Sequence, residues 1–508
     1  MTQLMHSFKA YAPPPQVLDG VRQGEIAAFC LFAYNVESPA QLRALTMALH
    51  DAAAEGGQPP PIIGIDQEGG QLIAVTGGAT ELPGNMALGA TRSPELARQA
   101  GRILGRELLA MGCNMNFAPS LDINSNPDSP GVGVRSFGDD PALVATLGCA
   151  LIEGMQAEGV IATAKHFPGH GDTGVDSHYE LPVVTRRRAE LDARELAPFR
   201  AAVAAGVGAV MSAHVVYTSL DTQAPATFSA RILTDLLRGE MGFSGLVITD
   251  AMDMGAVAKG GALHTAETAI RAGVDLVLLG HLPDQHALTR AARPMLTPAS
   301  VARIGRVRES LPRAYPSLDE VGCAAHQRIA QDIADASITV VRDDGRLPLR
   351  RSASGGVPDD AVIAVITVRP LDLTPADTSS MVEVRLGQAI CQRHARTTAH
   401  EIPYRASEAA LHDVLAAVAD AHTVIVGTIR ADQDSSQAAL VNQLAARGQK
   451  PVVVALRTPY DIRAFPHIRT YLCSYGIRPV SIEAVARVLF GEIPARGTLP
   501  VAIDLEGR

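Results

Sequence analysis

From residue 25 to about 281 the chain repeats one pattern: a short apolar run that ends in polar residues, then a longer stretch with helical spacing. The runs are EIAAFCLFAYN, PIIGIDQE, NMNFAPSLD, VIATAKHF, AVMSAHVVY, GLVITDAMD and DLVLLGH. They lack the alternation of a half-exposed strand. Such runs read as parallel strands buried on both faces, covered by helices on one side and by a packed interior on the other. The stretches between them start and stop as helices do: ESPAQLRALTMALHDAAAEGG and RSPELARQAGRILGRELLAMG each offer Ser as N-cap, Pro at the first helical position and Gly at the end.

Seven such units, or eight with one run missed, predict an α/β fold of the TIM-like (β/α)8 barrel type, with an open doubly wound sheet as the alternative. The polar positions favour the barrel. Asn35, Asp66, Asp122, Lys165, His214, Asp250 and His281 all fall at or just past the C-terminal end of a predicted strand, and in a barrel those ends converge on one face. Beyond residue 310 the pattern changes: LPRAYPSLDEVG is a Pro-punctuated connection, and a helical stretch runs to about Ala336 before SITVVRDDGRLPL. AVIAVITV, HTVIVGTI and PVVVALRT then alternate with helical segments such as RASEAALHDVLAAVADA, which predicts a smaller α/β sandwich domain. The expected division is a catalytic barrel over 1–312, a linker and connecting helix over 313–335, and the sandwich over 336–508. The tract RRSASGGVPDD reads as an exposed loop.

Composition narrows the partners. A length of 508 residues exceeds what one core usually supports, and 47% hydrophobic with 19% charged residues is a globular balance. A net charge of −9 without a Lys/Arg cluster argues against nucleic acid or an anionic membrane surface. No apolar stretch has the length of a membrane span and the first residues do not resemble a signal peptide, so the cytoplasm is the expected location. Six scattered cysteines without a CxxC pair fit free thiols better than disulfides or a zinc cage.

The densest chemistry is KHFPGHGDTGVDSH, residues 165 to 178, with one Lys, three His and two Asp in fourteen positions. Metal is the first reading of clustered histidines, but Pro168, Gly169 and Gly171 break the helix that would bring His166 and His170 together, and the Glu of an H-E-x-x-H motif is missing. No metal is expected. Each His alone could be a hydrogen-bonded scaffold residue; three just past a barrel strand point to a site. In Asp176-Ser177-His178 the carboxylate can take one ring nitrogen and fix the tautomer while the other faces the cleft, which is the construction of an oriented acid/base. Asp250, at the end of GLVIT and three residues before Asp253, has two readings: a cap for the following helix, or a carboxylate nucleophile toward an electrophilic sugar carbon. Asp66 in GIDQEGG lies at a third strand end. Arg135 in GVGVRSFG, Lys165 and His166 read as donors to hydroxyl or acyl oxygens, with loop bracing as the alternative for Arg135. GVGVRSFG lacks the spacing of a phosphate-binding glycine loop.

Taken in order, GIDQEGG, LPGNMALGAT, NFAPSLDINSNPDSPGVGVRSFGDDP, KHFPGHGDTGVDSHYELP and VITDAMDMGA resemble the family 3 glycoside hydrolases, and more narrowly the two-domain bacterial β-N-acetylglucosaminidases of cell-wall recycling. SITVVRDDGRLPL through GTLPVAI resembles that family's second, α/β-sandwich domain. The resemblance implies His178 as acid/base, Asp176 as its orienting partner and Asp250 as nucleophile. It also implies that Asp66, Arg135, Lys165 and His166 contact the sugar in the −1 subsite. The implied reaction releases a non-reducing-end β-linked N-acetylglucosamine from cell-wall fragments or chito-oligosaccharides with retention, through a covalent glycosyl-enzyme, and needs no cofactor. The implied partner is a small carbohydrate.

One departure concerns the cleft. Many relatives follow DQEGG with Arg; here Gln71 stands there, which predicts an aglycone side poorer in cations. With no Trp and 4% aromatics, and with Phe167, Tyr179 and Tyr217 the aromatics near the motifs, a short pocket for one sugar is expected. Gly169, Gly171 and Gly174 predict a mobile acid/base loop. Two rivals remain: a phosphorylase, because a neutral His repels a phosphate acceptor less than a carboxylate would, and a catalytically silent sugar-binding barrel.

Overall fold

The computed structural model describes residues 2–349 and 356–504. The residues predicted to form the catalytic barrel form a ring of eight parallel strands: β1 (Leu4–Met5), β2 (Ala28–Leu31), β3 (Ile62–Ile65), β4 (Met115–Asn116), β5 (Ile161–Phe167), β6 (Ala209–Ser212), β7 (Leu246–Thr249) and β8 (Val277–Leu278). Strands β2 to β7 pair in sequence order, and β1 pairs with β8. The ring closes through parallel bridges, His6 with Phe29 on one side and Ile248 with Leu276 on the other. This closure replaces the open-sheet alternative. Seven of the strands are the seven apolar runs; the eighth is β1, only two residues long and flanked by Gln3 and His6. Those polar neighbours are buried because tertiary partners satisfy them: Gln3 Nε2 donates to the Val274 carbonyl at 2.9 Å, and His6 Nε2 lies 2.7 Å from Thr289 Oγ1. No local pattern announces such a strand.

The barrel is filled, not hollow. Met5, Cys30, Ile62, Met115, Phe117, Met211, Leu246, Ile248, Leu276 and Leu278 form one buried cluster inside it, as a closed parallel barrel requires. Helices α1 (Pro39–Glu55) and α2 (Pro94–Ala110) begin as read, with Ser38 Oγ accepting from the Gln41 amide at 3.1 Å and Ser93 Oγ from the Leu96 amide at 3.3 Å.

The second sheet has six strands, β9 (Thr339–Arg342), β10 (Ile363–Arg369), β11 (Thr397–Pro403), β12 (Thr423–Thr428), β13 (Val452–Ala455) and β14 (Thr470–Cys473), in the spatial order β9-β14-β13-β12-β10-β11. All neighbours are parallel except β9, which runs antiparallel to β14. The chain goes outward from β10 to β11 and then returns to β12 on the other side, so the winding reverses between β10 and β12 and right-handed crossovers put helices on both faces. Two strands have no counterpart in the sequence reading: β11, a polar edge strand with TTAHEIP, and the short β14 inside RTYLCSYG. Of the tract RRSASGGVPDD, residues 350–355 lie outside the described residues.

Helix α3 (Ala324–Ser337) belongs to both cores: Ala330 and Ile333 join the barrel's apolar cluster, and Ala334 joins the sheet's. Met86, Ala87, Ala90 and Val134, from barrel loops, also join the sheet's cluster. The six cysteines are free thiols. Among the described residues no helix is long and apolar enough to cross a membrane.

Candidate active site

The C-terminal ends of the barrel strands open into a cavity of about 420 Å³, a size that takes a small ligand. Asp66, Arg135, Lys165, His166, His178 and Asp250 all line it, and Asp176 stands behind His178. The seven residues singled out from the sequence thus converge from the ends of β3, β5 and β7 and from the loops after β4 and β5.

One side of the cavity is an ion-pair network. Lys165 Nζ lies 2.7 Å from Asp66 Oδ1 and 2.8 Å from Glu68 Oε1. Arg135 makes a two-pronged contact to Glu68, Nη2 to Oε1 at 2.7 Å and Nε to Oε2 at 3.0 Å. Glu68 is the residue that sequence reasoning missed. A signal existed: Asp66 and Glu68 are two apart on extended chain, so their side chains leave the same side. Burial by itself would raise the Glu68 pKa, but the charges of Arg135 and Lys165 outweigh it and hold the carboxyl at about 2. Burial likewise works against the charge on Lys165, and Asp66 and Glu68 more than restore it, so its pKa is raised. Lys165 and Arg135 are therefore fixed cations on this side of the cavity.

Next to them His166 is aimed by Asp122. Its Nδ1 lies 2.7 Å from Asp122 Oδ2, while Asp122 Oδ1 accepts from the backbone amides of His166 at 3.1 Å and His170 at 2.6 Å. This leaves His166 Nε2 facing Asp250, 3.9 Å from Oδ2. Asp250 accepts from the Ala251 amide at 2.8 Å. Burial pushes its pKa up, but His166, His214 and His178 around it pull it down to about 2, so the carboxylate is ionised. His214 is a brace: its ring is fully buried, with Nε2 3.0 Å from the Ala251 carbonyl and Nδ1 2.8 Å from Thr227 Oγ1, and burial lowers its pKa. Asn35, also a strand-end residue, is a brace too, donating to the carbonyls of Phe8 and Ala10 at 2.7 and 2.9 Å.

On the loop after β5, both the backbone N–H and Nδ1 of His178 meet Asp176 Oδ1, at 3.0 and 2.6 Å. Nδ1 therefore carries a proton and Nε2 is available to the cavity. Burial opposes the charge on Asp176, yet the hydrogen bond and charge of His178 hold its pKa below the ordinary value. His170 supports this turn from beneath, with Nε2 2.9 Å from Ser177 Oγ and Nδ1 3.1 Å from Thr173 Oγ1. His170 is thus committed to protein partners at both ring nitrogens, whereas His166 keeps Nε2 toward the cavity.

Two expectations change, for the loop glycines and for Gln71, and the aromatics near the motifs take their places. Gly169 and Gly171 are not free hinges: a Cβ at Gly171 would lie 1.6 Å from the Ile123 carbonyl oxygen and one at Gly169 2.8 Å from Glu195 Cβ, whereas nothing lies within 4 Å at Gly174. Phe167 and Tyr217 are fully buried and Tyr179 points to solvent, so none of them lines the cavity; the aromatic lining is Phe32 and Tyr34, after β2. Gln71 does not face the entrance. Its Nε2 donates to the Ala376 carbonyl at 3.0 Å and its Oε1 accepts from Arg457 Nη2 at 2.6 Å, while Arg457 Nη1 holds Asp377 at 2.6 Å.

Those contacts bring the second sheet to the site. The loop that leaves the end of β10 contributes Asp372, Pro375, Ala376, Asp377 and Thr378 to the cavity wall, and Thr378 donates its amide to the Gln71 carbonyl at 2.8 Å. The winding of that sheet reverses at β10, which is where open α/β sheets offer a crevice; here the crevice loop reaches across to the barrel.

The family model described as glycosyl hydrolase family 3 N terminal domain matches residues 5–294. Beta-hexosaminidase A of Pseudoalteromonas piscicida is 32% identical over 97% of this chain and 91% of its own length. Among solved structures, a glycoside hydrolase family 3 beta-N-acetylglucosaminidase from Paenibacillus sp. str. FPU-7 superposes with a TM-score of 0.91 at 35% identity, covering 99% of this chain and 98% of that one. NagZ from Neisseria gonorrhoeae, in complex with N-trifluoroacetyl-D-glucosamine, has 32% identity and a TM-score of 0.57, covering 65% of this chain and 96% of that one.

Proposed function

The chain belongs to glycosyl hydrolase family 3, and from that premise we propose the reaction its cavity performs. It is a glycosidase of the β-hexosaminidase type that hydrolyses β-linked N-acetylglucosamine from the non-reducing end of a small carbohydrate, with cell-wall fragments and chito-oligosaccharides as substrates. The observation that carries the mechanism is the pairing, in one cavity, of an ionised carboxylate with an imidazole held by its own aspartate.

In the first step Asp250 attacks C1, the bond from C1 to the aglycone oxygen breaks, and protonated His178 gives its Nε2 proton to that oxygen. In the second step water attacks C1, loses its proton to His178 Nε2, and the bond to Asp250 breaks. Two inversions restore the β configuration. Asp176 keeps the imidazole oriented and stabilises its charged form. Lys165 and Asp66 bind hydroxyls far from C1, Arg135 holds Glu68 in place and adds positive charge there, and His166 Nε2, near Asp250, binds a group close to C1. Cys30, Met211 and Leu278 form an apolar floor that suits the methyl of an acetamido group.

The test is turnover of an aryl β-N-acetylglucosaminide, with the aryl β-glucoside as control, with and without phosphate. Free N-acetylglucosamine at a phosphate-independent rate is the expected result. A phosphate-stimulated rate giving the sugar 1-phosphate would make the protein a phosphorylase, and no turnover by the parent chain would make it a silent barrel. Asp250→Ala tests retention: added azide should restore turnover and yield the α-glycosyl azide, because the small anion attacks from the side the carboxylate has left.

A further inference from the structure

Asp176 and His178 stand beyond the end of β5 on a stretch of turns from Pro168 to Pro182. A loop without helix or strand takes its shape from what it rests on. One support is the loop after β4. The Asn126 amide donates to the Gly171 carbonyl at 3.1 Å, and Asn126 Nδ2 donates to the Thr173 carbonyl at 3.2 Å. The Ile123 carbonyl fills the place of a Cβ at Gly171, and a Cβ at Gly131 would meet Asp176 Oδ1 and Oδ2 at 3.8 and 3.9 Å. The acid/base loop thus lies on residues 123–131 all the way from Gly171 to Asp176.

Residues 121–132 belong to no helix or strand either, and part of what holds them comes from the second domain. Just past β13 the chain makes a short 3-10 helix, Pro459–Ala464. Tyr460 Oη accepts from Asn124 Nδ2 at 3.0 Å, and Arg463 Nη1 lies 3.6 Å from Asp128 Oδ1. These two anchors bracket Asn126. Asn126 Oδ1 in turn accepts from the Asp128 amide at 3.0 Å, which aims Nδ2 at the acid/base loop.

The anchors themselves are rigid. The Arg463 guanidinium lies over the Tyr460 ring, 4.6 Å from its centre. Asp461 Oδ2 accepts from Thr428 Oγ1 at 2.6 Å, at the end of β12, and the Tyr471 hydroxyl on β14 donates to the Pro459 carbonyl at 2.9 Å. Tyr460 is buried, so water cannot take over its contact with Asn124. Joining the two domains is served elsewhere, by α3 in both cores and by Arg457 on Gln71. What the Tyr460 and Arg463 contacts add is a fixed place for Asn126.

We propose that Tyr460 and Asn126 are positioning residues for the acid/base pair: through Tyr460, braced by Arg463, the second domain fixes the segment on which Asn126 carries the loop of Asp176 and His178. This rests on the glycosidase reading of the cavity and gives the second domain a part in proton transfer, although it supplies no group that touches the proton.

The experiment compares kcat/KM, which reports the first step, for two aryl β-N-acetylglucosaminides. Phenolate is a poor leaving group that needs the proton from His178; dinitrophenolate departs without it. Tyr460→Phe removes one oxygen, and Asn126→Ala removes the side-chain amide. Each should lower kcat/KM for the phenyl substrate by about tenfold, part of the roughly 10²-fold that a 1 Å misplacement costs, and for the dinitrophenyl substrate much less. The double variant should be no worse than Asn126→Ala alone, because Tyr460 acts through Asn126. Equal losses on the two substrates, the mark of a merely structural role, overturn the proposal, as do unchanged rates or losses that multiply in the double variant. His178→Ala separates the two readings. If it also loses equally on both substrates, the acid/base assignment falls; if its loss is confined to the phenyl substrate while Tyr460→Phe and Asn126→Ala lose on both or on neither, only the positioning falls.

Discussion

Glu68→Gln removes one negative charge from between two buried cations and leaves the shape of the side chain almost unchanged. Glu68 and Lys165 are each 2% exposed at the side chain, so water cannot take over the lost contact. Its pKa falls from the ordinary 4.5 to about 2 in the folded protein. At about 1.4 kcal/mol for each pH unit, the charged form contributes about 3 kcal/mol to folding near neutral pH, in line with the cost of breaking a buried ion pair. The sign follows from the lowered value: the contribution is complete above the unfolded pKa and is lost as pH falls through the folded one. Urea unfolding followed by far-UV circular dichroism, chosen because the chain has no Trp, should show the variant about 3 kcal/mol less stable at neutral pH. The gap should narrow as pH drops from about 4.5 toward 2. A gap below about 1 kcal/mol, or one that does not change with pH, would refute this account of the network. The variant should also lose turnover, since Lys165 and Arg135 lose their shared anchor.

His178→Ala should cost about 10²- to 10⁴-fold in rate with a poor leaving group and much less with a nitrophenolate; equal losses on both would contradict an acid/base role. Gly171→Ala should lower the melting temperature and the activity together, because its Cβ would collide with the Ile123 carbonyl, whereas Gly174→Ala, facing open space, should melt close to the parent. Arg457→Ala takes the ion-pair partner from Asp377, whose side chain is 0% exposed and keeps the amides of Leu373 and Ser379, and should destabilise the chain by up to about 3 kcal/mol and raise KM for the sugar, as the wall between the two units loosens. A KM like the parent's would show that this wall does not shape the site.

How much of the site was legible depended on whether a residue acts through its own neighbours in sequence. Asp176 and His178 are two apart on one loop, and the pair observed is the pair read from the spacing. Asp250 was legible from its place at the end of an uninterrupted apolar strand. Glu68 sits in the same hairpin as Asp66 but draws its meaning from Arg135 and Lys165, which arrive from the loop after β4 and from β5. Asp122 was visible as a strand-end carboxylate, but that it aims His166 is a contact across 44 positions of sequence. Gln71 and Arg457, 386 positions apart, could be joined only by the fold.

By itself the amino-acid order determined the strand–helix alternation, the N-caps of the helices and the collection of polar residues at strand ends, because these depend on periodicity and on interactions within a few residues. It also placed Asp176 beside His178 and Asp250 at the cavity end of β7. Closure of the barrel by the two-residue β1, the partner that keeps Glu68 charged, the turning of Gln71 away from the cavity and the crossing of the β10 loop to the barrel were decided by the tertiary structure. Each of these sets burial against pairing among groups far apart in the chain, and a buried charge or a two-residue strand is stable only once its distant partner is in place.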